Sequence, residues 1–107
     1  MDFKLFQKEM ADKFKDFDKK SGPFFLMTVL TAEMGELADA VKKEEKEKIQ
    51  EELADVVFGA VSIANIYDID LSEALRKKYI HRDIKEISKK WAEPYLGERL
   101  EELRKEK

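Results

Sequence analysis

Apolar side chains recur along most of the chain in steps of three and four, the spacing of one helical face. In residues 3–19 they are Phe3, Phe6, Met10, Phe14 and Phe17, a stripe expected to pack in a core. Ser21-Gly22-Pro23 interrupts the pattern, and Pro23 suits the first position of a second helix. That helix is predicted to reach about residue 41, with Leu26, Leu30, Met34, Leu37 and Val41 as its core stripe. Residues 42–48 are all Lys and Glu and read as a solvated corner. A third helix is predicted over residues 45–67, where Asp55 is the only charge from Leu53 onward. A helix apolar on nearly all sides must be covered on all sides. A chain this small does not enclose it alone, so a second subunit is expected against one face, with Phe58 and Val61 turned toward it. Asn65 on this helix is expected to satisfy a polar contact. Asp70-Leu71-Ser72-Glu73 has the form of a helix start. The fourth helix is predicted to run to about residue 90, with Ile80, Ile84, Ile87 and Trp91 in line. Pro94 ends it, and Leu96, Leu100 and Leu103 suggest an amphipathic tail helix. No segment alternates like a strand. The expectation is an all-α fold, four main antiparallel helices plus a short C-terminal helix, in one domain over residues 1–107.

Composition narrows the chemistry. The chain has 107 residues, 42% charged and 43% hydrophobic, with a net charge of −3. That balance fits a globular protein rather than a disordered one. A mildly acidic chain lacks the basic footprint of a general nucleic-acid binder. With no Cys there are no disulfides, thiolate metal sites or thiol nucleophiles, and the single His81 excludes a multi-histidine metal site. His81 itself reads as a solvated or packed side chain. The N-terminus alternates charge with aromatics, unlike a signal peptide. No uncharged run is longer than residues 56–67, which are too few to span a bilayer. A cytoplasmic protein without membrane partners is expected.

The candidate chemistry lies in Glu33-Met34-Gly35-Glu36 and Glu52-Leu53-Ala54-Asp55. On a wheel at about 100° per residue, the two acidic pairs fall at matched angles, each on a side shared with small or apolar residues. Leu30, Met34, Leu37 and Ala40 match Ile49, Leu53, Val56 and Gly59 at one constant offset. Antiparallel neighbours would therefore bring the pairs together. Four carboxylates in a partly dry cleft repel one another unless a cation compensates. A hard divalent ion suits them, and Mg²⁺ usually keeps waters and takes substrate phosphates as well. On the fourth helix Lys78, Arg82, Lys85 and Lys89 recur at helical spacing, a local basic excess suited to a polyphosphate.

The ordered set Glu33-x-x-Glu36, Glu52-x-x-Asp55 and Ile69-Asp70-Leu71-Ser72-Glu73-Ala74-Leu75, followed by Lys78 and Arg82, resembles the MazG-like nucleotide pyrophosphohydrolases. The resemblance covers about residues 24–85. It implies hydrolysis of a nucleoside triphosphate to the monophosphate and pyrophosphate. It implies Mg²⁺, or Mn²⁺, held by Glu33, Glu36, Glu52 and Asp55, which also carry the catalysis. It further implies Lys78 and Arg82 as substrate contacts, and a homodimer or a dimer of dimers. Members often carry a second Glu directly before the first motif Glu; here that position is Ala32. Two other readings stay open: a phosphoribosyl-ATP pyrophosphohydrolase-like enzyme, and a non-catalytic helical nucleotide-binding or oligomerisation module.

Overall fold

A computed structural model describes residues 2–90 and, beyond them, only Glu102 and Lys105. Trp91, Pro94 and the predicted tail positions Leu96, Leu100 and Leu103 lie outside the described residues. The chain divides into two units, Met1–Leu71 and Ser72–Lys107. All regular structure among the described residues is helical.

Three long helices build the first unit. Helix α1, Phe3–Ser21, starts at Asp2, whose Oδ1 accepts from the Lys4 and Leu5 amides at 2.9 and 3.3 Å. It closes on Gly22, which takes φ 88°, a conformation open to glycine. Helix α2, Pro23–Lys42, then begins with proline in its first turn. A short connection with Glu44 at positive φ leads into α3, Lys46–Ile66. Joined by so few residues, α2 and α3 pack as antiparallel neighbours along their length. Helix α1 lies mainly against α3.

The seam between α2 and α3 uses Leu26, Leu30, Glu33, Leu37 and Ala40 from one helix, all buried or half-buried. From the other it uses Ile49, Glu52, Val56 and Gly59. Gly59 lets the helices approach: a Cβ there would meet Leu30 Cδ1 at 3.2 Å. This seam corrects the predicted stripe. Met34 and Val41 are exposed, because Glu33 and Ala40 hold the inward positions beside them. Phe17 is likewise exposed, whereas Phe14 packs edge-on against Phe58 at 5.2 Å between ring centres. Val61 is fully buried within the chain rather than offered to a second subunit. Met10, Leu26 and Ala64 join it in the core.

Asn65 does find its polar partner. Gln7 Nε2 donates to Asn65 Oδ1 at 3.0 Å and to the Ile69 carbonyl at 2.7 Å, while Gln7 Oε1 accepts from the Leu71 amide at 3.1 Å. This buried clamp fixes the chain where it leaves α3.

The predicted fourth helix is broken. Helix α4 covers only Leu71–Leu75, and a π-helical turn, Arg76–Ile80, follows. After a bend at His81 and Arg82, Asp83 caps a new short helix, α5, Ile84–Ile87, by accepting from the Glu86 amide at 3.0 Å. A 3₁₀ turn, Ser88–Lys90, ends the described segment. Asp83 supplies the reason for the break: as an N-cap it starts a helix more readily than it continues one. Ile80 and Ile84 are exposed, so the expected apolar line does not form a core stripe.

Candidate metal and nucleotide site

Helical spacing places Glu33 and Glu52 at facing positions of the α2–α3 seam, where apolar side chains would otherwise meet. Glu52 is only 3% exposed. Glu36 lies one turn beyond Glu33 on the outer side of α2. One oxygen from each of Glu33, Glu36 and Glu52 lies within 4.8 Å of the others. Ionised carboxylates only accept hydrogen bonds, so this group contains no donor of its own. The consequence is visible: Glu33 Oε2 and Glu52 Oε2 are both shut off from solvent without a hydrogen-bond partner. Such orphaned buried oxygens call for a cation or a proton.

Asp55 differs from its expected setting. It is exposed rather than sealed in an apolar helix, yet it stays within hydrogen-bonding reach of Glu33. The Glu33 carboxyl is pushed up to about 7, first by burial. A proton on it can be shared with Glu52, and the charges of Asp55 and Glu36 add to the effect. Without a cation the site therefore tends to hold a proton on Glu33.

A lysine that the sequence reading left in the solvated corner also belongs here. Lys48 Nζ lies 3.4 Å from Glu52 Oε1, one turn earlier on α3. Hydrogen bonding to Glu52 and the charge of Glu52 hold Lys48 above the ordinary lysine value, with Glu51 and Glu36 adding to this against a desolvation penalty. The signal was present as an i,i+4 pair, but nothing in a Lys/Glu-rich run distinguishes one pair from the rest. Lys48 also lines a groove of about 690 Å³ with Ala32, Gly35, Glu36, Asp39, Ala40, Lys43 and Glu45. Ala32 and Gly35 leave that wall open: a Cβ added at Gly35 would touch nothing. The volume falls within the range of small-molecule sites.

In sequence, the carboxylates and their groove fall inside the segment, residues 22–86, that matches the MazG nucleotide pyrophosphohydrolase domain. The chain belongs to the MazG family. No curated protein matches the sequence. MazG membership gives the chain a hydrolase family whose activity is nucleotide pyrophosphohydrolysis, and members are typically metal-dependent. The acidic cluster on α2 and α3 fits that chemistry through its orphaned oxygens.

The basic residues tied to the MazG resemblance lie in the second unit. Lys78 sits in the π-helical turn, its ammonium 5.5 Å from the centre of the Tyr79 ring. Arg82 lies in the bend and pairs with Glu86 at 4.0 Å. The bend also separates Lys78 from Lys85 and Lys89, so the four do not form one continuous helical stripe. No helix among the described residues is long and apolar enough to cross a membrane.

Proposed function

We propose that this MazG protein hydrolyses a nucleoside triphosphate to the nucleoside monophosphate and pyrophosphate, using Mg²⁺, or Mn²⁺ in its place. Glu33, Glu36, Glu52 and Asp55 are the proposed ligands and carry the catalysis. The observation that carries this reading is the buried Glu52 oxygen without a donor, set against two further carboxylates. A bound divalent ion would neutralise phosphate charge and favour an activated water. The carboxylates hold that ion in place, and one left incompletely occupied accepts the proton of the attacking water. Ala32 offers no oxygen, so this base is drawn from the same four side chains. Lys78 and Arg82 are proposed to bind the leaving pyrophosphate by charge-assisted hydrogen bonds.

We further infer that the protein works in the cytoplasm as a homodimer or homotetramer. Support comes from α2, where Phe24, Met27, Thr31, Met34, Ala38 and Val41 repeat at alternating steps of three and four, all exposed. This is the spacing of a helix–helix seam, which a second copy would cover. Leu53 and Val57 of α3 are exposed as well.

The test is pyrophosphate release from a panel of nucleoside triphosphates, with Mg²⁺ and with EDTA. Metal-dependent release from at least one nucleotide is expected. Absence of release across the panel, with the protein folded and Mg²⁺ bound, overturns the enzymatic reading and leaves a binding module.

A further inference from the structure

Glu52 is the most enclosed carboxylate of the cluster, and one of its oxygens is already engaged by a cation from the chain itself. Lys48 Nζ lies at 3.4 Å from Oε1, while Oε2 has no partner. Lysine preceding glutamate at i,i+4 is the less favourable order on a helix surface. Helix geometry alone therefore gives little reason for the contact; the unmet charge of Glu52 does. The ammonium is held incompletely, because the Lys48 side chain is 53% exposed whereas that of Glu52 is 4% exposed. A flexible four-carbon stem can leave without disturbing the backbone. On leaving Glu52 the amine remains on the wall of the groove, which also carries Glu36 and Lys43 and is open at Gly35. Lys43 is committed to Asp39 at 3.0 Å, so Lys48 is the lysine of this wall that cation binding would release.

We propose that the Lys48 ammonium is the resident counter-cation of the carboxylate cluster, is exchanged for the incoming divalent ion, and then turns into the groove as a ligand for substrate phosphate. This rests on the cation site proposed above. Such an exchange keeps Glu52 compensated throughout. The metal-free protein has an internal cation at Glu52, and the loaded protein gains a positive group beside the site where an anionic substrate arrives. Divalent ions bind against a built-in competitor, so removing that competitor tightens metal binding while weakening phosphate binding.

Calorimetric titration of Mg²⁺ and of Mn²⁺ into the full-length chain tests the first half. Lys48→Met is expected to bind either ion about tenfold more tightly than the parent, a size in the range of outer-shell effects on metal sites. Lys48→Arg, which keeps the competitor, stays near the parent, and so does Lys43→Met. Inorganic pyrophosphate titrated into the Mg²⁺-saturated proteins tests the second half. Its affinity is expected to fall roughly tenfold in Lys48→Met, the loss of one charged hydrogen bond, and to persist in Lys48→Arg. Equal metal affinity in parent and Lys48→Met overturns the exchange while leaving the cation site intact. Equal tightening in Lys43→Met reduces the effect to general charge and also overturns it. Unchanged pyrophosphate affinity in Lys48→Met removes the phosphate role. If neither ion binds the parent or any variant, the cation site itself is wrong, and this inference falls with it.

Discussion

Replacing Glu52 by Gln should make the protein more stable without metal and less responsive to it. The residue is 3% exposed, and its Oε2 has no hydrogen-bond partner. Leaving a buried polar atom unsatisfied costs about 1–3 kcal/mol, and more when it is charged. Glutamine keeps the shape and an oxygen that can still accept from Lys48. It also puts an amide donor within reach of Glu33, whose own Oε2 is orphaned. One substitution thus turns an acceptor without a partner into a donor and supplies a partner to another. The expected gain in EDTA is about 1–3 kcal/mol, and each kcal/mol raises Tm by about 4–8 °C in a domain of this size. With Mg²⁺ the parent recovers most or all of this difference. A parent with a ligand at a hundred times its Kd gains about 2.7 kcal/mol, whereas the variant, having lost its most enclosed ligand, gains little. The assay is a pair of circular-dichroism melts for each protein, in EDTA and in Mg²⁺. A variant that melts below the parent in EDTA refutes the claim that Glu52 is held against its preference. Equal Mg²⁺-induced shifts in the two proteins refute its role as a ligand.

The Glu33 carboxyl moves from 4.5 to about 7 on folding, so between these values the metal-free native state binds more protons than the unfolded chain. Its stability in EDTA should fall as pH rises through that window, and urea titrations at several pH values should show the slope flattened in Glu33→Gln. Gln7→Ala removes three hydrogen bonds of the buried clamp and strands their partners. It should cost about 3 kcal/mol, read as a drop in urea midpoint, and an unchanged midpoint would contradict the clamp. Met27→Glu places a charge in the exposed α2 stripe and should dissociate the proposed oligomer in sedimentation velocity; a parent already monomeric at micromolar concentration ends that reading. Arg82→Ala should lower kcat/KM roughly ten- to a hundredfold through a lost phosphate contact, whereas Lys89→Ala, well along the chain from it, should change little. Equal activities would remove this segment from the site.

The helices α1 to α3 were legible in the sequence because their punctuation is local. Gly22-Pro23 can only end one helix and begin another, and the charged corner before α3 has nothing to bury. The acidic pairs were legible for a related reason: matched spacing on two helices is a property of sequence, and the MazG pattern rests on it. What the sequence could not rank was the environment of each carboxylate. Glu52 and Asp55 stand less than one turn apart, yet Glu52 is sealed and Asp55 is exposed, because Glu52 sits inside the α2–α3 seam whereas Asp55 reaches Glu33 from its open edge. The same rotation turned Glu33 into the seam and Met34 out of it. A period of 3.6 fixes the angles between side chains but not the angle at which one helix meets its neighbour. The break at His81–Asp83 escaped for a similar reason, since apolar spacing runs through it and only the cap at Asp83 marks it. Lys48 completes the contrast. Its identity and spacing are written in the chain, but its engagement with Glu52 exists because packing α3 against α2 withdrew that carboxylate from water and left it in need of a cation.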